Sequence, residues 1–183
     1  MYTDNDSELV KKATQSLENL SKGLAQGLDI NSNLTIYTAL PGEMIEQKNL
    51  QLELKTLTDN YNVILMDCDF STNTDYFVNS NEIYLVQSMD ALTIQPLTQF
   101  LSELKTRNLL DETKLRVIIN KYIKLKRLDD KMIIAGMSRY NEPSMTLQRD
   151  LFNKDTIKYI DIPFEEQTYA RYLEEIALCQ VSL

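Results

Sequence analysis

The sequence predicts an α/β fold: a mainly parallel sheet of about five strands flanked by helices. Three observations carry that prediction. Five short runs rich in β-branched and aromatic residues alternate with segments whose leucines recur every three or four positions. One of these runs, Val63-Ile64-Leu65-Met66, is apolar throughout, the pattern of a strand buried on both faces inside a parallel sheet. It stops abruptly at an acid pair, Asp67 and Asp69. An acid there stands at the carboxyl rim of the sheet, where open α/β sheets bind ligands. It equally suits a residue that only caps the next turn.

Residues 7–28 form an amphipathic helix by this reading, with Leu9, Ala13, Leu17, Leu20, Leu24 and Leu28 on one face and lysines and acids between them. Gly27 and the polar residues 29–33 break it. Residues 34–40 (LTIYTAL) are the first strand, ended by Pro41-Gly42. A helix over 47–58, with Leu50, Leu54 and Leu57 inward, delivers the chain into the buried strand 62–67. Residues 71–75 are a polar loop.

Residues 82–87 (EIYLVQ) are the third strand. The helix over 93–107 tolerates Pro96 because that proline lies in its first turn, and it points Leu97, Phe100, Leu101 and Leu104 inward. Residues 115–120 (LRVIIN) are the fourth strand. A helix follows, with Leu125, Leu128, Met132 and Ala135 inward and Lys121, Lys124, Lys126, Arg127 and Lys131 as a solvated basic face. After a loop at 139–143 and a helical turn near 145–152, residues 157–162 (IKYIDI) are the last strand, stopped by Pro163. Helix 165–178 closes the chain, with Tyr169, Leu173 and Ile176 inward. No repeat, linker or low-complexity tract interrupts this order, so residues 1–183 read as one domain: an amino-terminal helix over 1–30 and a core over 34–178.

Composition narrows the chemistry. With 19 basic and 27 acidic residues the formal charge is 19 − 27 = −8, which argues against a surface broadly adapted to DNA or anionic lipid. No apolar run is long enough to span a bilayer, and the polar amino terminus lacks a secretory apolar region, so a cytoplasmic protein is expected. Cys68 and Cys179 are too few for a disulfide framework, and Cys68 reads as a small reduced core residue beside the buried strand. The sequence has no histidine, which removes Ser-His-Asp and Cys-His nucleophiles and His-ligated zinc. Its four glycines, Gly23, Gly27, Gly42 and Gly136, are scattered and make no glycine-rich phosphate cradle.

The order of these pieces resembles the carboxyl-terminal two-thirds of the ParA/MinD family of deviant Walker P-loop ATPases, which position plasmids, division sites, flagella and secretion machines. The resemblance runs from Leu34 to Ile176. NLTIYTALPG is similar to the strand before the family's Walker B helix, and YNVILMDCDF to the Walker B segment itself. SNEIYLVQSMDALTIQPL resembles the strand and helix that follow, and RVIINKY the strand whose terminal asparagine contacts adenine. YIDIPFEEQTYARYLEE resembles the closing strand, the proline turn beside the base and the final helix.

The resemblance implies a P-loop NTPase-like fold, with Asp67 as the Walker B acid that holds Mg²⁺ through water. It also implies Asn120 as a hydrogen-bonding partner of adenine and Pro163-Phe164 as a wall for the base. The family's KGGxGK[ST] loop, whose amides and lysines neutralise the phosphates, has no counterpart in this sequence. Phosphoryl transfer depends on that neutralisation. The expectation is therefore a protein-interaction module for a plasmid, conjugation, pilus or secretion system that does not hydrolyse ATP alone and holds no cofactor by itself. ATP and Mg²⁺ enter only if a longer protein supplies the P-loop, in which case the chain is the carboxyl-terminal fragment of an active ATPase. Loss of the P-loop strand also leaves unpaired sheet edges, which makes a homodimer an expected partner alongside proteins of the machine served. A receiver-like signalling domain is a third reading: Asp67 ends a strand and Lys121 follows a later one, but the acid pair a receiver carries after its first strand is missing after 34–40. DNA binding through Lys121–Lys131 is opposed by the net charge, and the acidic last helix offers no basic face to a membrane.

Overall fold

The computed structural model describes residues 4–38, 49–141 and 148–181. The chain divides into two compact units, Met1–Asp67 and Cys68–Leu183.

The first unit opens with helix α1 (Asp4–Ser21). Strands β1 (Leu28–Asn31) and β2 (Leu34–Ile36) follow as an antiparallel pair, and helix α2 (Leu50–Asn60) comes after them. Ala13 and Leu20 of α1 and Leu50 and Leu57 of α2 are buried, the leucine spacing having set those faces. Ser16, fully buried, ties α1 to the chain beyond β2, its Oγ accepting from the Thr38 N–H at 3.1 Å. Asn49 caps α2 by accepting from the Leu52 N–H. Tyr37 and Tyr61 meet hydroxyl to hydroxyl at 2.8 Å with their rings edge to face. Burial, then the Tyr61 hydroxyl, pushes the Tyr37 phenol well above its ordinary range.

The second unit holds the parallel sheet. After helix α3 (Thr74–Asn79) come strand β3 (Ile83–Ser88), helix α4 (Ile94–Thr106), strand β4 (Leu115–Tyr122) and helix α5 (Asp130–Met137). A small antiparallel pair follows, β5 (Arg139–Asn141) and β6 (Gln148–Asp150), then strand β7 (Lys158–Pro163) and helix α6 (Glu166–Val181). The sheet order is β3-β4-β7, all parallel, with α4 and α5 as the crossovers. Leu85 of β3 and Leu115, Val117 and Ile119 of β4 share one core with Leu97 and Leu101 of α4 and Ile133, Ile134 and Met137 of α5. Both helices therefore lie on the same face of the sheet. Within this unit the other face is open: Val86 is 61% and Ile160 60% exposed.

The α/β class with a parallel sheet is as expected, but the sheet holds three strands where five were predicted. Residues 34–36 pair antiparallel with β1 instead of joining it. Residues 61–69 form no helix or strand, and Val63 and Leu65 are 76% and 89% exposed. An apolar run becomes a strand only where a neighbour takes up its backbone hydrogen bonds, and this one belongs to no sheet. Cys68, expected in the core beside that strand, is accordingly exposed.

Three further differences have local causes. The basic cluster is not a helix face: residues 123–129 make a turn closed by a bridge between Leu125 and Leu128, and α5 starts only at Asp130, capped by Asp129. Its inward residues are Ile133, Ile134 and Met137, while Met132 is 56% exposed. Residues 139–141 and 148–150 form the β5–β6 pair where a loop and a helical turn were expected, stitched by an Arg139–Asp150 ion pair at 2.9 Å. In α6 the expected inward residues Tyr169 and Leu173 are exposed. The turn at Pro41-Gly42, the start of the helix expected at 47, part of the loop ending at Pro143, and residues 145–147 lie outside the described residues, as does the Ile176 side chain.

Candidate functional site

The carboxyl rim of the β3-β4-β7 sheet gathers a set of polar and aromatic groups of the second unit. β3 ends with Gln87 and Ser88. Gln87 is 2% exposed, and its amide donates to the carbonyls of Ser88 (2.9 Å) and Asp90 (3.1 Å) and to Thr93 Oγ1. That fixes the turn into α4, and Asp90 Oδ1 further holds the short 3-10 turn Ala91–Thr93 before the helix by accepting from the Leu92 N–H. In register with Ser88 stands Asn120 of β4.

Immediately after Asn120 the ladder slips. The β4–β7 register shifts between Ile119 and Tyr122, and Lys121 takes a left-handed backbone conformation, φ 55°. The Asn120 carboxamide oxygen accepts from the Lys121 N–H at 2.9 Å and so braces that conformation. Beyond the slip, Tyr122 pairs with Pro163, and the Phe164 N–H donates to the Tyr122 carbonyl at 2.9 Å. Phe164 packs on Tyr169 with ring centres 5.5 Å apart, Tyr169 on Tyr172 at 6.4 Å, and the Lys121 ammonium sits 4.8 Å from the centre of the Tyr169 ring.

The covered face of the same rim is acidic. Asp161 of β7 lies in register with Ile119, and its Oδ1 is sealed from solvent without a hydrogen-bond partner although the carboxyl as a whole is only partly covered. Burial first, and the Asp130 carboxylate second, raise the Asp161 carboxyl above its ordinary range. The Tyr159 hydroxyl, donating to Asp130 at 2.7 Å, holds the Asp130 carboxyl below its ordinary range. Burial and the Asp130, Asp161 and Asp129 charges push the Tyr122 phenol up.

Of the four residues singled out in the sequence, three are brought together here: Asn120 two residues before Tyr122, and Pro163 and Phe164 paired with it. Asp67 closes the first unit, exposed, in a segment without regular structure. Among the described residues no group of three or more acidic or cysteine side chains converges as a metal ion would need. Sequence reasoning missed Lys121 as a backbone special position, and missed Asp161, Tyr169 and the Asp130–Tyr159 pair. The run Asn120-Lys121 after a strand was the available signal, since asparagine commonly braces a left-handed neighbour through a local hydrogen bond.

Chemically the rim offers a cluster of mutually tilted aromatic rings, an adjacent cation and a carboxamide whose Nδ2 makes no hydrogen bond among the described residues. Two open clefts of about 300 and 350 Å³ lie elsewhere, lined by Glu112, Phe152 and Asn153, and the first reaches Leu115 and Lys158 at the amino ends of β4 and β7. The carboxyl rim, not those clefts, is where the topology of a parallel sheet directs ligands. No family model, no curated protein and no solved structure matches this chain. What the fold defines is an α/β protein with a three-stranded parallel sheet.

Proposed function

We propose that this chain is a ParA/MinD-like positioning or assembly factor that works through protein contacts and does not hydrolyse ATP by itself. One observation supports the reading most: Pro163-Phe164 at the end of β7 pair with Tyr122 at the end of β4, two residues beyond Asn120, so that Asn120, Pro163 and Phe164 share one rim of the sheet. The resemblance implies an adenine contact at Asn120 and a base wall at Pro163-Phe164, and the nearness of the two strand ends supports that reading. A P-loop NTPase-like origin for the three-stranded sheet and a cytoplasmic location belong to the same proposal; no helix among the described residues is long and apolar enough to cross a membrane.

The absence of turnover follows from charge. A triphosphate is neutralised in such enzymes by loop amides and a lysine, and the four scattered glycines of this sequence build no such loop. Asp67 then has no phosphate oxygens with which to share Mg²⁺. Phosphate release from Mg-ATP is expected to equal the blank, and a fluorescent fusion in the host cell is expected to form discrete foci. Turnover that Asp67→Ala abolishes would refute the inactive half of the proposal; a uniformly diffuse fusion would refute the positioning half.

A further inference from the structure

The two edges of the parallel sheet are built differently. β7 is guarded: it carries Lys158, the covered acid Asp161 and Pro163, which has no N–H, and its register with β4 is irregular. β3 has none of these devices. Its sequence IYLVQS holds no charge and no proline, and its ladder with β4 runs six residues, Ile83 to Ser88, without a shift. Among the described residues no strand pairs with the outer edge of β3, and on the open face beside that edge Tyr84 is 53% and Val86 61% exposed. A regular, uncharged and largely apolar edge strand is a template for another strand.

The geometry points to this edge as the place where two copies of the chain join, β3 against β3 in antiparallel pairing, into one continuous six-stranded sheet. A second copy fits because the strand is complementary to itself. With the two-fold axis at Leu85, Tyr84 stands opposite Val86 of the second copy on the open face, an aromatic–β-branched pair of the kind that stabilises antiparallel sheets. The same register sets Ile83 opposite Gln87 and Glu82 opposite Ser88, so no like charges meet. Moving the axis one residue, to Val86, would oppose Glu82 to Asp90 and is disfavoured. Because each copy carries a net charge of −8, association is expected to strengthen with salt. The inference does not rest on the ParA/MinD reading.

Sedimentation equilibrium of the full chain, with hydrogen exchange read on β3, tests it. A reversible monomer–dimer equilibrium is expected, with β3 amides protected in proportion to the dimer. Val86→Lys, at an exposed edge position, should raise the dimer dissociation constant about tenfold or more, since the lysine enters twice. Ile160→Lys, equally exposed on β7, should leave it unchanged. The inference is overturned by a monomer at every concentration, by a dimer that ignores Val86→Lys or yields to Ile160→Lys, or by β3 amides equally protected in the monomer. That last result would mean another segment of the same chain fills the edge.

Discussion

The hydroxyl of Tyr159 donates to Oδ2 of Asp130 across 2.7 Å, fastening the edge strand β7 to the first turn of α5. The bond lowers the Asp130 carboxyl below its ordinary 3.8 and raises the Tyr159 phenol above its ordinary 10.0. The depressed acid contributes stability that is present above about pH 4 and lost as pH falls through its folded value. The raised phenol contributes stability that is present below about pH 10 and lost as pH rises through its folded value. Tyr159→Phe should therefore cost about 0.5 kcal/mol at neutral pH, a small figure because the pair is solvent-screened. The cost should vanish at both extremes. Denaturant melts of wild type and variant across pH check this; a cost independent of pH would assign it to ring packing alone.

Asp161, two residues along the same strand, works the other way. Its raised carboxyl binds a proton more tightly folded than unfolded, so the fold loses stability as pH rises from the ordinary value of 3.8 through the folded one. Asp161→Asn removes a charge that has no partner for Oδ1 and should stabilise by about 1 kcal/mol at pH 7. Below pH 4 wild type and variant should converge. Thermal melts at pH 3.5 and 7 decide it, and a less stable variant at pH 7 would show that the carboxylate has a cationic partner.

What could be read in the sequence divides along physical lines. Periodicity located β3, α4 and β4, and the buried face Leu97, Leu101, Leu104, because a helix or strand inside one core obeys a local pattern. It also located β7 and α6, but not the face of α6, whose Tyr169 and Leu173 are exposed. The run Val63–Met66 shows the limit: its residues are as strand-like as those of β4, but strand formation needs a neighbouring edge, and no local pattern encodes one. The β5–β6 pair was missed for the complementary reason, its residues Arg139–Asn141 and Gln148–Asp150 being polar and joined by register and an ion pair instead of apolar alternation. At the site, Asn120 and Pro163-Phe164 were legible as strand-end residues. The Asp130–Tyr159 bond was not, because 29 residues separate the partners and only the crossover joins them.

The end of α4 yields a third prediction. Asn108 holds φ 55° one residue beyond the cap, its N–H donating to the Lys105 carbonyl and the Leu109 N–H to the Leu104 carbonyl, a Schellman closure. Glycine meets that conformation without strain, so Asn108→Gly should be neutral or stabilising by up to about 0.5 kcal/mol. A β-branched residue cannot, and Asn108→Val should cost about 1–2 kcal/mol. Chemical denaturation of the two variants checks the order; equal stability would mean the closure opens at no cost.

In the first unit the same question of space arises at Gly27, between α1 and β1. A methyl group there would stand 2.5 Å from Thr35 Cγ2 and 2.8 Å from the Ile36 carbonyl oxygen. The threonine methyl can rotate away, but the carbonyl belongs to the β1–β2 ladder and moves only with its strand. Gly27→Ala should therefore loosen the hairpin and cost roughly 1–3 kcal/mol, the range for overpacking a fitted contact. Hydrogen exchange locates the effect: amides of β1 and β2 should exchange faster while those of β4 are unchanged. An alanine variant with wild-type protection in the hairpin would show that the Ile36 carbonyl yields to a methyl group at Gly27 without disturbing the β1–β2 ladder.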